Sequence, residues 1–177
     1  MNDYDIIRSV LEGDKEQYAQ LVDRYQSVVA NLCYKICGNR LDVEDVTQQV
    51  FVELYTALPR FRFQSKLSTF IYRITVNVVS KQLSRSSRIL PQLDTMPEHP
   101  SDTRNIEQQI VCDEQYASLY RAIGQLKYEQ RTALVLCTFN DFSYQDVADV
   151  MQCSLTKVEA LIFRAKKNLR KILENEK

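Results

Sequence analysis

Glycine and proline are scarce, three of one and four of the other in 177 residues. A fold of many short strands needs turn residues at close intervals, so this scarcity argues against one and favours long helices. Histidine occurs once, at His99, and no zinc signature or glycine-rich phosphate loop is present. No apolar run is long enough to span a bilayer. The opening Met1-Asn2-Asp3-Tyr4-Asp5 is acidic and lacks the basic-then-apolar pattern of a signal peptide, so a cytoplasmic location without membrane insertion is expected. The five cysteines, Cys33, Cys37, Cys112, Cys137 and Cys153, are odd in number and form no disulfide framework. They read as free, buried thiols in a reducing compartment. Cys33 and Cys37 stand four apart and could face one metal ion, but nothing joins them to complete a site, so no metal and no cofactor are expected.

What is present is an ordinary globular balance, 45% apolar and 26% charged. The formal net charge of zero conceals segregation. From Asp42 to Glu53 the charges are Asp42, Glu44, Asp45 and Glu53, with no Lys or Arg. From Leu54 to Gln92 no acid occurs, while Arg60, Arg62, Lys66, Arg73, Lys81, Arg85 and Arg88 are basic. Near the C-terminus Lys157, Arg164, Lys166, Lys167, Arg170 and Lys171 are offset only by Glu159. Two basic segments and one acidic face are therefore expected.

Apolar periodicity predicts a helix over 16–37, ended by Gly38-Asn39. Asp42 reads as the N-cap of a second helix that stops before Pro59. A third follows Ser68-Thr69 and fades into polar Ser84 to Arg88. Residues 91–106 hold three of the four prolines, lack apolar period and read as a mobile linker. Helical pattern resumes near Ile106 and passes Leu126, then recurs at about 128–139, at 144–151 behind Ser143, and from Ser154 to roughly 172. The expectation is an all-α chain of two small helical domains, 1–90 and 107–177, joined by the linker at 91–106.

Three segments carry function. Residues 143–166 form a helix-turn-helix candidate, with Ala148 where two helices cross and Val147, Val150, Met151, Val158 and Ile162 as shared core. Its second helix would present Thr156 and Lys157 to bases or phosphates, and Arg164, Lys167 and Lys171 to phosphates. A plain helical hairpin with a solvated basic face has the same pattern. Residues 60–88 interleave cations with Phe61, Phe63, Phe70 and Tyr72, as a groove for unstacked single-stranded bases requires. The competing reading makes the aromatics core and the cations solvated, yet seven cations without one acid among them sit poorly with it. The acidic face of the second helix, Glu44, Asp45, Gln48, Gln49 and Glu53, repels DNA and suits a basic protein partner; alone, it equally fits a solvated face.

In this order, the segments resemble the extracytoplasmic-function sigma factors of the sigma-70 family. Leu21-Val22-Asp23-Arg24-Tyr25, Asp42 to Phe51 and Ser68 to Asn77 are similar to sigma region 2. Ala122-Ile123, Leu126, Arg131, Phe142 to Ala148 and Phe163 to Lys166 are similar to region 4. The resemblance implies a transcription initiation factor, not an enzyme, acting with core RNA polymerase and promoter DNA and held in check by an anti-sigma factor. No small-molecule substrate is implied. It implies polymerase docking through Asp42, Glu44, Asp45, Gln48, Gln49 and Phe51. It implies −10 recognition through Phe70, Arg73, Asn77, Ser80, Lys81, Arg85 and Arg88, with Asn77 to Lys81 as a loop that captures a flipped base. It implies −35 recognition through Ser154, Thr156, Lys157, Phe163, Arg164 and Lys167. Phe70 stands where the family usually has Trp, and Gln152 where a small residue is usual. Glu159, Ala160 and Leu161 replace a basic, a small polar and a basic residue, which should weaken phosphate attraction. A helix-turn-helix regulator that never engages polymerase is the alternative; a cysteine-nucleophile enzyme and an interaction module are remoter rivals.

Overall fold

The computed structural model describes residues 2–89 and 118–175. The expected linker at 91–106, His99, Cys112 and the pattern from Ile106 to residue 117 lie outside the described residues, as does the side chain of Arg88. Every regular element among the described residues is helical.

Helix α1 spans Asp3–Leu11, an element the periodicity reading did not include. Asn2 caps it: the Asn2 side chain accepts from the Asp5 N–H (2.9 Å), and the Asp5 carboxylate accepts from the Asn2 N–H (3.3 Å). Ile6, Ile7 and Val10 turn inward. Helix α2, Tyr18–Cys37, buries the stripe Leu21, Val29, Leu32, Cys33, Ile36 and Cys37. It stops at Gly38, whose φ of 56° and ψ of −138° are open to glycine but costly for any other residue. Helix α3, Val43–Ala57, starts as expected on Asp42, whose carboxylate accepts from the Glu44 and Asp45 N–H groups at 2.9 and 3.1 Å. Its inward face is Val46, Val50, Phe51 and Leu54. Pro59 sits in the one-turn helix Leu58–Arg60 that follows.

Helix α4 runs from Leu67 to Ile89 without a break. Two expectations are corrected by it. The helix does not fade at Ser84, and Asn77 to Lys81 is helical rather than a loop. The reason is local: no glycine or proline interrupts 67–89. Ile71, Val78 and Val79 stay buried along one face, which keeps the turns in register with the core. Each fully buried Leu or Ile of this N-terminal unit contributes about 1.5–3 kcal/mol.

The C-terminal unit comprises α5 (residues 118–124), α6 (Tyr128–Phe139), α7 (Tyr144–Met151) and α8 (Leu155–Asn175). Ser143 and Asp146 form a reciprocal capping box at α7: Ser143 Oγ accepts from the Asp146 N–H (3.1 Å), and the Asp146 carboxylate accepts from the Ser143 N–H (3.0 Å). Gln152 adopts the left-handed conformation (φ 52°, ψ 48°) between α7 and α8. The Cys153 N–H then donates to the Ala148 carbonyl at 3.0 Å, fixing the turn. Ala148 is 3% exposed at the crossing.

The two units pack against each other. The Tyr72 ring of α4 meets Phe142 edge-on at 4.9 Å, and Asn140 Nδ2 donates to the Tyr72 hydroxyl at 3.1 Å. The Tyr128 hydroxyl donates to the Val76 carbonyl at 2.7 Å. Arg40 and Arg131 converge on one acceptor, donating to the Gly124 carbonyl at 3.2 and 3.0 Å.

Candidate nucleic-acid and partner interfaces

The exposed face of α3 carries Asp45, Gln48, Gln49, Val52 and Thr56 at three- and four-residue spacing, with Asp42 and Glu44 beside it. Its acids meet solvent, while Glu53 at the rim is tied to Lys81 of α4 (3.6 Å). Val52, which sequence reasoning passed over, is 58% exposed in the middle of this polar stripe. An apolar side chain there loses nothing by being covered and gives a polar face a dry centre. Phe51 is a different case. It is 7% exposed, and its carbonyl accepts from the Tyr18 hydroxyl at 2.6 Å. In this structure Phe51 belongs to the core and supports the face from beneath.

Helix α4 divides its length among three directions. Ile71, Ile74, Thr75, Val78 and Val79 enter the core. Tyr72 and Val76 meet the C-terminal unit. Arg73, Asn77, Lys81 and Arg85 recur every fourth residue and form one outward stripe, with Ser80 partly covered at its edge. Phe70 is 7% exposed between Phe61 (5.0 Å) and the Arg73 guanidinium (5.3 Å). The expected base-stacking ring is therefore largely under Arg73. Phe63, 40% exposed with φ 57° and Arg8 over its ring at 5.8 Å, offers the open aromatic surface of this end. A cleft of about 530 Å³ separates Ser65, Thr69 and Arg73 from Asp149, Gln152 and Ser154 of the helix-turn-helix.

In α8, Ser154 acts as the cap, its Oγ accepting from the Lys157 N–H at 3.2 Å. Val158, Leu161, Ile162 and Ala165 are buried. Thr156, Ala160, Phe163 and Lys167 lie on the opposite side, with Glu159 and Arg164 flanking them, all exposed. Phe163 is 70% exposed, which no core role explains. Leu161 corrects the count of lost cations: at 6% exposure it faces the core, so Glu159 is the acid on the outer side of this turn and Leu161 withdraws nothing from it. Lys157 is held by Glu129 at 2.7 Å, and that hydrogen bond and charge raise the ammonium above its ordinary range.

Cys33 and Cys37 are 0% and 1% exposed, and burial pushes their thiols up to about 12 and about 11. Such thiols are poor nucleophiles at neutral pH. Among the described residues no group of three metal-binding side chains converges, and no helix is long and apolar enough to cross a membrane.

Residues 21–89 match the family "Sigma-70 region 2", and residues 116–169 match "Sigma-70, region 4". The RNA polymerase sigma-H factor of Pseudomonas aeruginosa is 33% identical over 97% of this chain and 94% of its own length. The ECF RNA polymerase sigma-E factor of Haemophilus influenzae is 31% identical over 99% and 95%. The chain belongs to the extracytoplasmic-function sigma factors of the sigma-70 family. Region 2 of this sigma factor thus takes in α2 to α4, and region 4 takes in the helix-turn-helix with most of α8. The fold agrees with two solved structures. CnrH in complex with the cytosolic domain of CnrY has a TM-score of 0.71 at 22% identity, covering 99% of both chains. The sigma factor RpoE in complex with the anti-sigma factor NepR from Bartonella quintana has a TM-score of 0.72 at 18% identity, covering 92% of this chain and 99% of that one.

Proposed function

We propose that this sigma factor divides its work among three faces. Asp42, Glu44, Asp45, Gln48 and Gln49 of α3, around Val52, dock on a basic surface of core RNA polymerase. The stripe Arg73, Asn77, Lys81 and Arg85 of α4 holds the melted −10 strand, with Ser80 and Phe70 at its margin and Arg88, later in the sequence, as a further cation. Thr156, Phe163, Arg164 and Lys167 of α8 enter the −35 major groove, with Ser154 and Lys157 at its leading end. The domain limits are 1–90 and 107–177. The polymerase supplies the chemistry, and this chain supplies position; it works wherever chromosome and polymerase are, in the cytoplasm. An anti-sigma factor is its natural antagonist, as NepR is named for the similarly folded RpoE.

The observation that carries the reading is the separation of charge on adjacent helices. The acidic outer face of α3 and the acid-free outer stripe of α4 belong to one packed unit, joined at their border by Glu53 and Lys81. A regulator that only binds DNA gains nothing from an acidic face beside its basic one, because that face repels phosphate.

Promoter binding requires the units to part. By their positions the two elements are roughly 25 base pairs apart, about 85 Å of duplex at 3.4 Å per pair. In the closed chain α4 and the helix-turn-helix touch, Tyr72 against Phe142. Residues 90–117, fully extended, reach roughly 95 Å, enough for the separation.

Run-off transcription with reconstituted core polymerase over a promoter library tests the whole. Start sites should depend on both elements, and Asp45→Arg with Gln48→Arg should abolish polymerase capture while duplex binding persists. Start sites indifferent to both elements would sink the proposal.

A further inference from the structure

We propose that Glu159 is a specificity residue that reads a cytosine in the −35 element. The proposal rests on the placement of α8 in the major groove argued above. Glu159 is exposed on the outer side of α8, beside Ala160 and one turn before the 70%-exposed Phe163. It is not half of a helix-stabilising ion pair. The residues three and four positions away are Leu155, Thr156, Ile162 and Phe163, none of them cationic. The nearest cation along the chain, Lys157, is engaged by Glu129. No salt bridge involves Glu159 among the described residues. Nor does it cap the helix, since Ser154 does so and Glu159 lies beyond the first turn, where the dipole's pull on an acid has faded.

Every other charged side chain from Lys157 to Lys171 is a cation. A lone carboxylate among them weakens attraction to phosphates. In the groove it can only accept hydrogen bonds. The major-groove edges of guanine and thymine offer it acceptors, which repel it. Adenine offers N6–H but sets the N7 acceptor beside it. Cytosine offers N4–H₂ with no acceptor on its own groove edge, and so is the base a glutamate selects. Phe163, on the same face, walls the contact from water and so strengthens it.

The test uses the full chain with core polymerase and duplex promoters randomised across the −35 element. Bound sequences are counted for the wild type, Glu159→Gln and Glu159→Arg; the site is exposed, so all three should fold alike. The wild type should favour cytosine at one position by about five- to tenfold, the low end of what one base contact supplies. Glu159→Gln should shift that position toward adenine. Glu159→Arg should shift it toward guanine and tighten binding to all sequences. If both variants keep the wild-type preference at every position, Glu159 is a solvated bystander and the proposal fails while −35 recognition stands. If the wild type shows no preference at any position, −35 recognition itself fails and takes this proposal with it.

Discussion

The two units solve the problem of a core differently. In the N-terminal unit the buried set is apolar apart from Thr75, whose hydroxyl returns to the Ile71 carbonyl at 2.9 Å. In the C-terminal unit Gln130, Arg131 and Thr132 are consecutive and buried, and the Arg131 Nε and Thr132 Oγ1 atoms find no partner among the described residues. Burial, with Arg40 nearby, lowers the Arg131 guanidinium to about 10. Helix α6 is buried this thoroughly because α8 covers one side and α2 the other. The contrast teaches that the first unit is stable on its own terms, while the second is completed by contact with the first. That contact has an internal opponent. Two guanidinium groups share the Gly124 carbonyl; Arg40 already meets solvent, and parting the units would open the buried Arg131 to water as well.

The largest expected effect lies in the apolar unit. Leu54, 0% exposed, cut to Ala should cost about 2–5 kcal/mol of unfolding free energy, read from a urea titration followed by circular dichroism. An unchanged midpoint would deny the N-terminal unit its role as the stable half. Next, Ala148→Leu should overpack the crossing of α7 and α8, costing about 1–3 kcal/mol. Its −35-dependent transcription should fall while polymerase capture survives, as run-off and pull-down assays on the same protein would show. Tyr128→Phe removes the bond to the Val76 carbonyl and should cost about 1 kcal/mol of closure, seen as a longer distance between fluorophores on α3 and α8. The same bond sets a pH limit. Burial raises the Tyr128 hydroxyl to about 12, so its contribution is whole below pH 10 and is lost as pH climbs through the folded value. Closure that weakened already at pH 8 would contradict the assignment. The smallest effect is expected at the opposed charges. Arg131→Met should change stability by less than about 1 kcal/mol in either direction, because a well-packed apolar side chain commonly replaces a buried charge without loss. It should also leave the chain more closed in the fluorescence assay. A loss comparable to that of Leu54→Ala would show that Arg131 holds the unit together.

Much of this was legible in the sequence because it is local. The stripe of α2 and the caps at Asp42 and Ser143 each depend on residues within a turn or two. Helix α1 was equally local, and the pairing of Asn2 with Asp5 before Ile6, Ile7 and Val10 was the signal that announced it. Leu161 and Phe51 could have been placed inside by the same periodicity, since Leu161 shares its side of α8 with Val158 and Ala165, and Phe51 lies between Val50 and Leu54. Polar Ser84 to Arg88 hid the continuation of α4, because an outer turn without apolar residues has no period to read. The packing of Tyr72 on Phe142 and of Tyr128 on α4 was not legible at all. These partners are tens of residues apart, and an aromatic in a periodic stripe reveals that it is buried, not against what.

The bond from Tyr128 to the Val76 carbonyl has a consequence for how readily promoters fill. On the reading proposed above promoter binding needs the open form, so the apparent promoter affinity is the intrinsic affinity scaled by the fraction open. Every additional 1.4 kcal/mol of closure lowers that fraction about tenfold. A single hydroxyl on α6 would thus help set how abundant this factor must become before its promoters are occupied, without touching polymerase or promoter.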